Sequence, residues 1–223
     1  MTPTFVVPPR IVLKLYSFFS SPTAGGGSES AWSAPPAPGD AAEWAGELRL
    51  PGGGFCGTRL DGLRLDLSAS DGLALTLASA PPQRYKLSLR TSANEGEGKS
   101  ETTYQAVLDL SGREAGEWVT LRVPWSAFVA VKRQNEDVSA PKLDASAVRS
   151  LGLVLSRFEF NGLPNPCFTE GRFSLKVKSI APFASPRPAL VHVSSAGVRF
   201  INQRAFIEAL FGSARLFHGS YDR

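Results

Sequence analysis

Histidine and cysteine are scarce in this 223-residue chain, with two of each: His192, His218, Cys56 and Cys167. Neither cysteine belongs to a Cys-x-x-Cys pair, and the four residues cannot be grouped at zinc-ligand spacing, which excludes an ordinary zinc centre. So few thiols also exclude a disulfide-stapled secreted scaffold. They suit a cytosolic or organellar compartment, and nothing in their spacing requires them to pair. Long apolar runs are missing too. The stretch from Phe5 to Phe19 is broken by Pro8, Pro9, Arg10 and Lys14, short of the ~20 apolar residues that cross a bilayer. It lacks signal-peptide flanks, and Ile11 to Phe18 reads as a first strand. No acidic residue occurs before Glu29, a trait of organelle transit peptides, although Arg is scarce there.

Charge of one sign is not concentrated. Lys and Arg total 24 against 20 Asp and Glu, giving a net charge of +4 and a pI near 9.3. A nucleic-acid binder gathers its cations into one patch. Here they are spread along the chain, as on a solvated surface. Binding of RNA is permitted by the charge but no RNA-binding motif supports it.

The usual catalytic signatures are also missing. Gly25-Gly26-Gly27 and Gly52-Gly53-Gly54 are the glycine clusters. Neither has the Gly-x-Gly-x-x-Gly spacing that brings backbone N–H groups to a pyrophosphate, so they read as loop and turn. A serine hydrolase would need His192 or His218 as base, and no Gly-x-Ser-x-Gly elbow accompanies them. No pair of carboxylates occupies a marked motif. The expectation is a protein that is not an enzyme and needs no cofactor and no metal.

What the chain does contain is short period-two runs separated by turn formers, with 21 Gly and 17 Pro scattered throughout. Residues 20 to 43 read as a loop. Glu47 to Leu50 and Phe55 to Leu60, flanking Pro51-Gly52-Gly53-Gly54, read as a hairpin. Leu73, Leu75 and Leu77 alternate with small or polar residues, and Tyr85, Leu87 and Leu89 alternate with Lys86, Ser88 and Arg90. Such alternation marks strands with one buried face. Residues 91 to 102 are a polar loop. Further strands are expected at Tyr104 to Leu110, Trp118 to Val123, Leu151 to Leu155 and Phe173 to Ile180. Phe128 is expected to plug the core, and Ala145 to Ser150 to make one helical turn. About eight to ten strands with no long amphipathic helix among them predict an all-β fold, a jelly-roll β-sandwich.

The tail changes character. Ala181 to Pro188 is a Pro-rich linker, Ala189 to Ser194 a single apolar strand, and Gln203 to Leu210 a short helix. The expected organisation is an N-terminal extension over 1–10, one β domain over 11–183, and a linker with a short divergent tail over 184–223.

A candidate binding surface follows from the strand pattern. Lys86, Ser88 and Arg90 share one face, away from Leu87 and Leu89, and Gln105 is expected on a neighbouring strand. On a jelly roll they would line the wet, concave face, where they could hydrogen-bond a sugar, a phosphate or a partner's carboxylates. The competing and more ordinary reading is a solvated sheet face. Trp118 and Trp125 are either sugar-stacking platforms or core and rim packing.

Several segments taken in order resemble one family. They are Gly26-Gly27-Ser28-Glu29-Ser30, Trp44 to Leu50, Gly53 to Arg59, Asp71-Gly72-Leu73, Arg84 to Thr91, Tyr104-Gln105-Ala106, Gly116-Glu117-Trp118, Val123 to Phe128, and Val148 to Leu153. Together these resemble the complex I intermediate-associated protein family, from about residue 26 to 183. The resemblance implies a galactose-binding-like jelly roll. It also implies a role as an assembly factor whose partners are protein subunits of an organellar electron-transport membrane complex, on which it would sit peripherally. Ser20 to Ala24 replaces the acidic segment usual in the family. Ala189 to Val198 is similar to a strand and turn of atypical short-chain dehydrogenases. In photosynthetic organisms such a domain is interrupted by the jelly roll, which tilts the expected location from mitochondrion to plastid. No Tyr precedes a Lys by four residues, so the usual proton-transfer pair of those dehydrogenases is absent. Fold analogy alone leaves a carbohydrate-binding module as the alternative.

Overall fold

The structure, a computed structural model, describes residues 23–24, 28–35, 37, 39–51, 53–185, 190–194 and 197–201. The chain divides into two compact units, Met1–Ala184 and Ser185–Arg223. The first is all-β. Its strands are β1 (Thr23–Ala24), β2 (Glu29–Ser33), β3 (Ala42–Leu48), β4 (Phe55–Leu60), β5 (Gly72–Ala80), β6 (Arg84–Thr91), β7 (Thr103–Asp109), β8 (Val119–Pro124), β9 (Val129–Lys132), β10 (Asn135–Glu136), β11 (Val148–Ser156) and β12 (Gly171–Phe183). They form two antiparallel sheets, as the alternating pattern predicts. One has seven strands in the order β1-β4-β11-β6-β7-β9-β10, the other five in the order β2-β3-β12-β5-β8.

The core lies between the sheets. Leu87, Leu89, Leu151, Leu153 and Leu155 face inward from the larger sheet, against Trp44, Leu75, Leu77, Phe173 and Leu175 of the smaller one. Trp44 is completely buried at the centre. Its ring meets Phe173 edge-on at 5.0 Å and Tyr85 at 6.3 Å, and stacks on Trp32 at 6.5 Å. Aromatic pairs in these geometries stabilise a core beyond the area they bury. The predicted plug, Phe128, is half-buried, packing against the core beside Trp125 with ring centroids 5.8 Å apart.

The structure corrects two sequence readings. Residues 20–43 are not one loop, because they contain β1 and β2 and the first residues of β3. β2 forms because Glu29–Ser33 pairs along β3 and Trp32 stacks over Trp44. That long-range pairing outweighs the Gly, Ser and Pro around it. Nor do residues 47–60 form a hairpin. β3 pairs with β2 and β12, β4 with β1 and β11, so the glycine-rich segment carries the chain from one sheet to the other. Gly54, at φ +64°, turns this corner. Hairpin and corner need the same permissive residues, and only the placement of the buried Leu48, Cys56 and Leu60 across the core separates them.

The single turn expected over Ala145 to Ser150 is shorter, a 3-10 turn at Ala145–Ala147 with Asp144 accepting from the Ser146 N–H at its start, and Val148 to Ser150 already belong to β11. In the second unit, β13 (Leu190–Ser194) does not stand alone. It pairs antiparallel with β14 (Gly197–Ile201). The expected first strand at Ile11 to Phe18 and the helix at Gln203 to Leu210 lie outside the described residues.

Candidate functional site

The outer face of the seven-stranded sheet holds the residues singled out above. On β6, buried Tyr85, Leu87 and Leu89 alternate with half-buried Arg84, Lys86, Ser88 and Arg90. In antiparallel pairing, directly opposed residues share a face. Ser88 lies opposite Gln105 of β7 on one side and Gly152 of β11 on the other, and Gly152 lies opposite Arg59 of β4. Lys86 faces Val107 and Val154, and Arg90 faces Ser150. The structure therefore brings Lys86, Ser88, Arg90 and Gln105 onto one face.

Their surroundings differ. Gln105 Nε2 donates to Thr103 Oγ1 at 3.3 Å, within its own strand. The Lys86 ammonium stands 5.1 Å above the ring of Phe160. Burial pushes its pKa down, and the Glu159 carboxylate acts in the opposite direction. Glu159 is fixed by Arg84, whose Nη1 donates to Glu159 Oε1 at 3.0 Å while its Nε donates to Asp109 Oδ2 at 2.7 Å. The loop after β11 is thereby held over this end of the sheet. Toward the other end, Arg90 Nε is buried without a hydrogen-bond partner. Burial lowers the Arg90 pKa, Arg59 adds to that effect, and Asp61 opposes it.

Sequence reasoning missed Arg59, Ser150, Gly152 and the Glu159–Phe160 loop. Arg59 of β4 and Arg90 of β6 stand two strands apart across β11, which carries Ser150, and nothing in a linear pattern announces that neighbourhood. Gly152 provides a flat floor. A Cβ there would come within 2.7 Å of the Thr58 carbonyl oxygen.

A second feature is a hollow of about 610 Å³ bordered by Tyr104, Trp125, Phe128, Asp137, Val138 and Leu143. Three of its polar groups are already engaged. Tyr104 Oη donates to the Pro141 carbonyl at 3.0 Å and Trp125 Nε1 to the Ser70 carbonyl at 2.8 Å. Asp137 accepts from Thr102 Oγ1 and from the Ser139 amide and hydroxyl. Trp118 is 45% exposed, immediately before β8 at the edge of the smaller sheet. Cys56 is a buried free thiol and Cys167 a half-buried one. Among the described residues, no group of three or more His, Cys, Asp or Glu is placed to hold a metal ion, and no helix is long and apolar enough to cross a membrane.

Residues 15–177 match the family of Complex I intermediate-associated protein 30. The chain belongs to that family. The match ends before the segment read as dehydrogenase-like. A comparison with curated proteins finds no match. Among solved structures, the chain is similar to the family 11 carbohydrate-binding module of a cellulosomal cellulase of Clostridium thermocellum. The likeness has a TM-score of 0.55 at 15% identity and covers 79% of this chain and 95% of that one. An agarase is similar at TM-score 0.41 and 10% identity, over 73% of this chain and 22% of the agarase. The first likeness agrees with the two-sheet sandwich, and at such identity it speaks to fold alone.

Proposed function

We propose that this member of the Complex I intermediate-associated protein 30 family is a non-catalytic assembly factor. It binds protein subunits of an organellar electron-transport membrane complex while that complex is being built. Family membership over residues 15–177 carries the reading. The binding surface is the outer face of the seven-stranded sheet around Lys86, Ser88, Arg90 and Gln105. There, half-buried cations sit beside Val107, which is exposed, and Val154. Such a mixture of partly desolvated charge and small apolar area is suited to a protein interface.

The carbohydrate-binding alternative is less well supported at this face. A sugar site needs an open aromatic ring beside polar groups. Here the Lys86 ammonium stands over the Phe160 ring, and exposed Trp118 lies just before β8 of the other sheet.

The test is affinity capture with the tagged chain from solubilised mitochondrial and plastid membranes, beside the double variant Lys86→Ala/Arg90→Ala. Recovery of complex I subunits, or of photosystem subunits from the plastid, with a clear reduction in the double variant, is the expected result. Recovery of no membrane-complex subunit, together with binding on a glycan or RNA array, would overturn it.

A further inference from the structure

Arg59 and Arg90 come from strands on opposite sides of β11. Arg59 is in register with Gly152 and Arg90 with Ser150, two residues along the same strand. The two guanidinium groups thus lie on a diagonal over a backbone that has no side chain at Gly152 to separate them. They influence each other electrostatically. One carboxylate, Asp61, lies near both and accepts from Arg59 Nε at 3.0 Å. Two cations against one anion leave the cluster with surplus positive charge. Arg149, at the register shift of β11 between Val148 and Ser150, is already engaged by Glu95 at 3.2 Å. Two donors in this cluster are unspent. Arg90 Nε is buried without a hydrogen-bond partner, and so is the hydroxyl of Ser150, a residue only 2% exposed. Buried donors of this kind are expensive to leave unpaired.

We infer that Arg59, Arg90 and the Ser150 hydroxyl form a clamp for a side-chain carboxylate on an acidic segment of a protein partner. The planar fork of an arginine matches a carboxylate with two parallel N–H···O bonds. Ser150 supplies a third donor, and Gly152 lets the incoming group approach the sheet. The clamp rests on the protein-binding reading above and gives it a chemistry: the partner presents Glu or Asp. Lys86, beside Glu159 and Phe160 at the other end of β6, is not part of it.

Fluorescence anisotropy of the full chain with a labelled Glu-rich peptide, and with the same peptide carrying Gln at every Glu, tests the clamp at low salt, where surface charge is least screened. The Glu peptide is expected to bind and the Gln peptide to bind about tenfold more weakly or not at all. Arg90→Gln and Arg59→Gln should each cost about tenfold or more. Arg90→Lys, which keeps the charge but loses the fork, should fall between Arg90→Gln and the unmodified chain. Arg172→Gln, which removes the same charge from β12 in the other sheet, should change nothing. Equal weakening by Arg172→Gln would reduce the effect to overall charge and overturn the clamp. Competition by inorganic phosphate, with the Glu and Gln peptides binding alike, would also overturn it in favour of phosphate recognition. Membrane capture keeps this separate from the wider reading. If Arg59→Gln/Arg90→Gln captures subunits as well as the unmodified chain, the clamp fails and the assembly role stands. If the unmodified chain captures none, the assembly role fails whatever the peptide does.

Discussion

Trp32 Nε1 donates a 2.7 Å hydrogen bond to Thr58 Oγ1, joining β2 of the smaller sheet to β4 of the larger. Two apolar surfaces can slide over each other, but a directed bond across them fixes one alignment. Thr58→Val keeps the shape of the side chain and deletes the acceptor. It is expected to lower stability by about 1 kcal/mol, measured as a shift in the urea midpoint at unchanged slope. Thr58→Ser, which retains the oxygen, should recover most of it.

Trp44 offers a contrast. Its ring is enclosed by Trp32, Tyr85 and Phe173, yet its indole N–H has no hydrogen-bond partner. Trp44→Ala removes the packing and is expected to cost about 3–5 kcal/mol. Trp44→Phe loses some volume but also deletes the unpaired donor, so its cost should be less than half as large. Equal losses for the two variants, read by denaturant unfolding, would mean that the N–H contributes to stability.

Gly46 lies where β2 crosses close to β3. A methyl group there would overlap the Glu29 carbonyl oxygen and crowd Ser30 Cα at 2.8 Å. Both are near the backbone and cannot swing aside. Gly46→Ala is therefore expected to destabilise by about 2 kcal/mol or more. Hydrogen exchange should show loss of protection concentrated in Glu29–Ser33.

Tyr85 is wholly buried, and burial pushes its pKa up to about 12, against a smaller opposing effect from its hydrogen bond with Ser79. The native state thus holds this proton more tightly than the unfolded chain does. Stability from this source is complete below pH 10 and is lost as pH rises toward 12, by about 2–3 kcal/mol across that window. Urea unfolding at pH 9 and pH 11.5 should show the fall, and Tyr85→Phe should flatten it.

Much of the sandwich was legible because alternation is a local property. Tyr85-Lys86-Leu87-Ser88-Leu89-Arg90 announces both a strand and its wet side, and β5, β7, β8, β11 and β12 were readable in the same way. β2 was not, because Glu29–Ser33 has little apolar pattern of its own and becomes a strand by pairing with β3. The corner at Pro51–Gly54 was misread because turn residues report a change of direction, not its destination. Within the candidate site, the β6 residues could be grouped from sequence. Arg59 and Ser150 could not, since they meet Arg90 only through the lateral order β4-β11-β6.

That lateral order also governs when the domain can form. β11 sits between β4 and β6, and β12 between β3 and β5, although both are the last long strands of the sandwich to be made. The larger sheet therefore has a vacant interior position until residue 156 has been made, and the smaller sheet until residue 183. Earlier strands have no native neighbour there, and contacts so distant in sequence close slowly. A nascent chain would carry two incomplete sheets with exposed inner faces, the state in which misassembly is most common. Dependence on timely completion is thus written into the strand order itself.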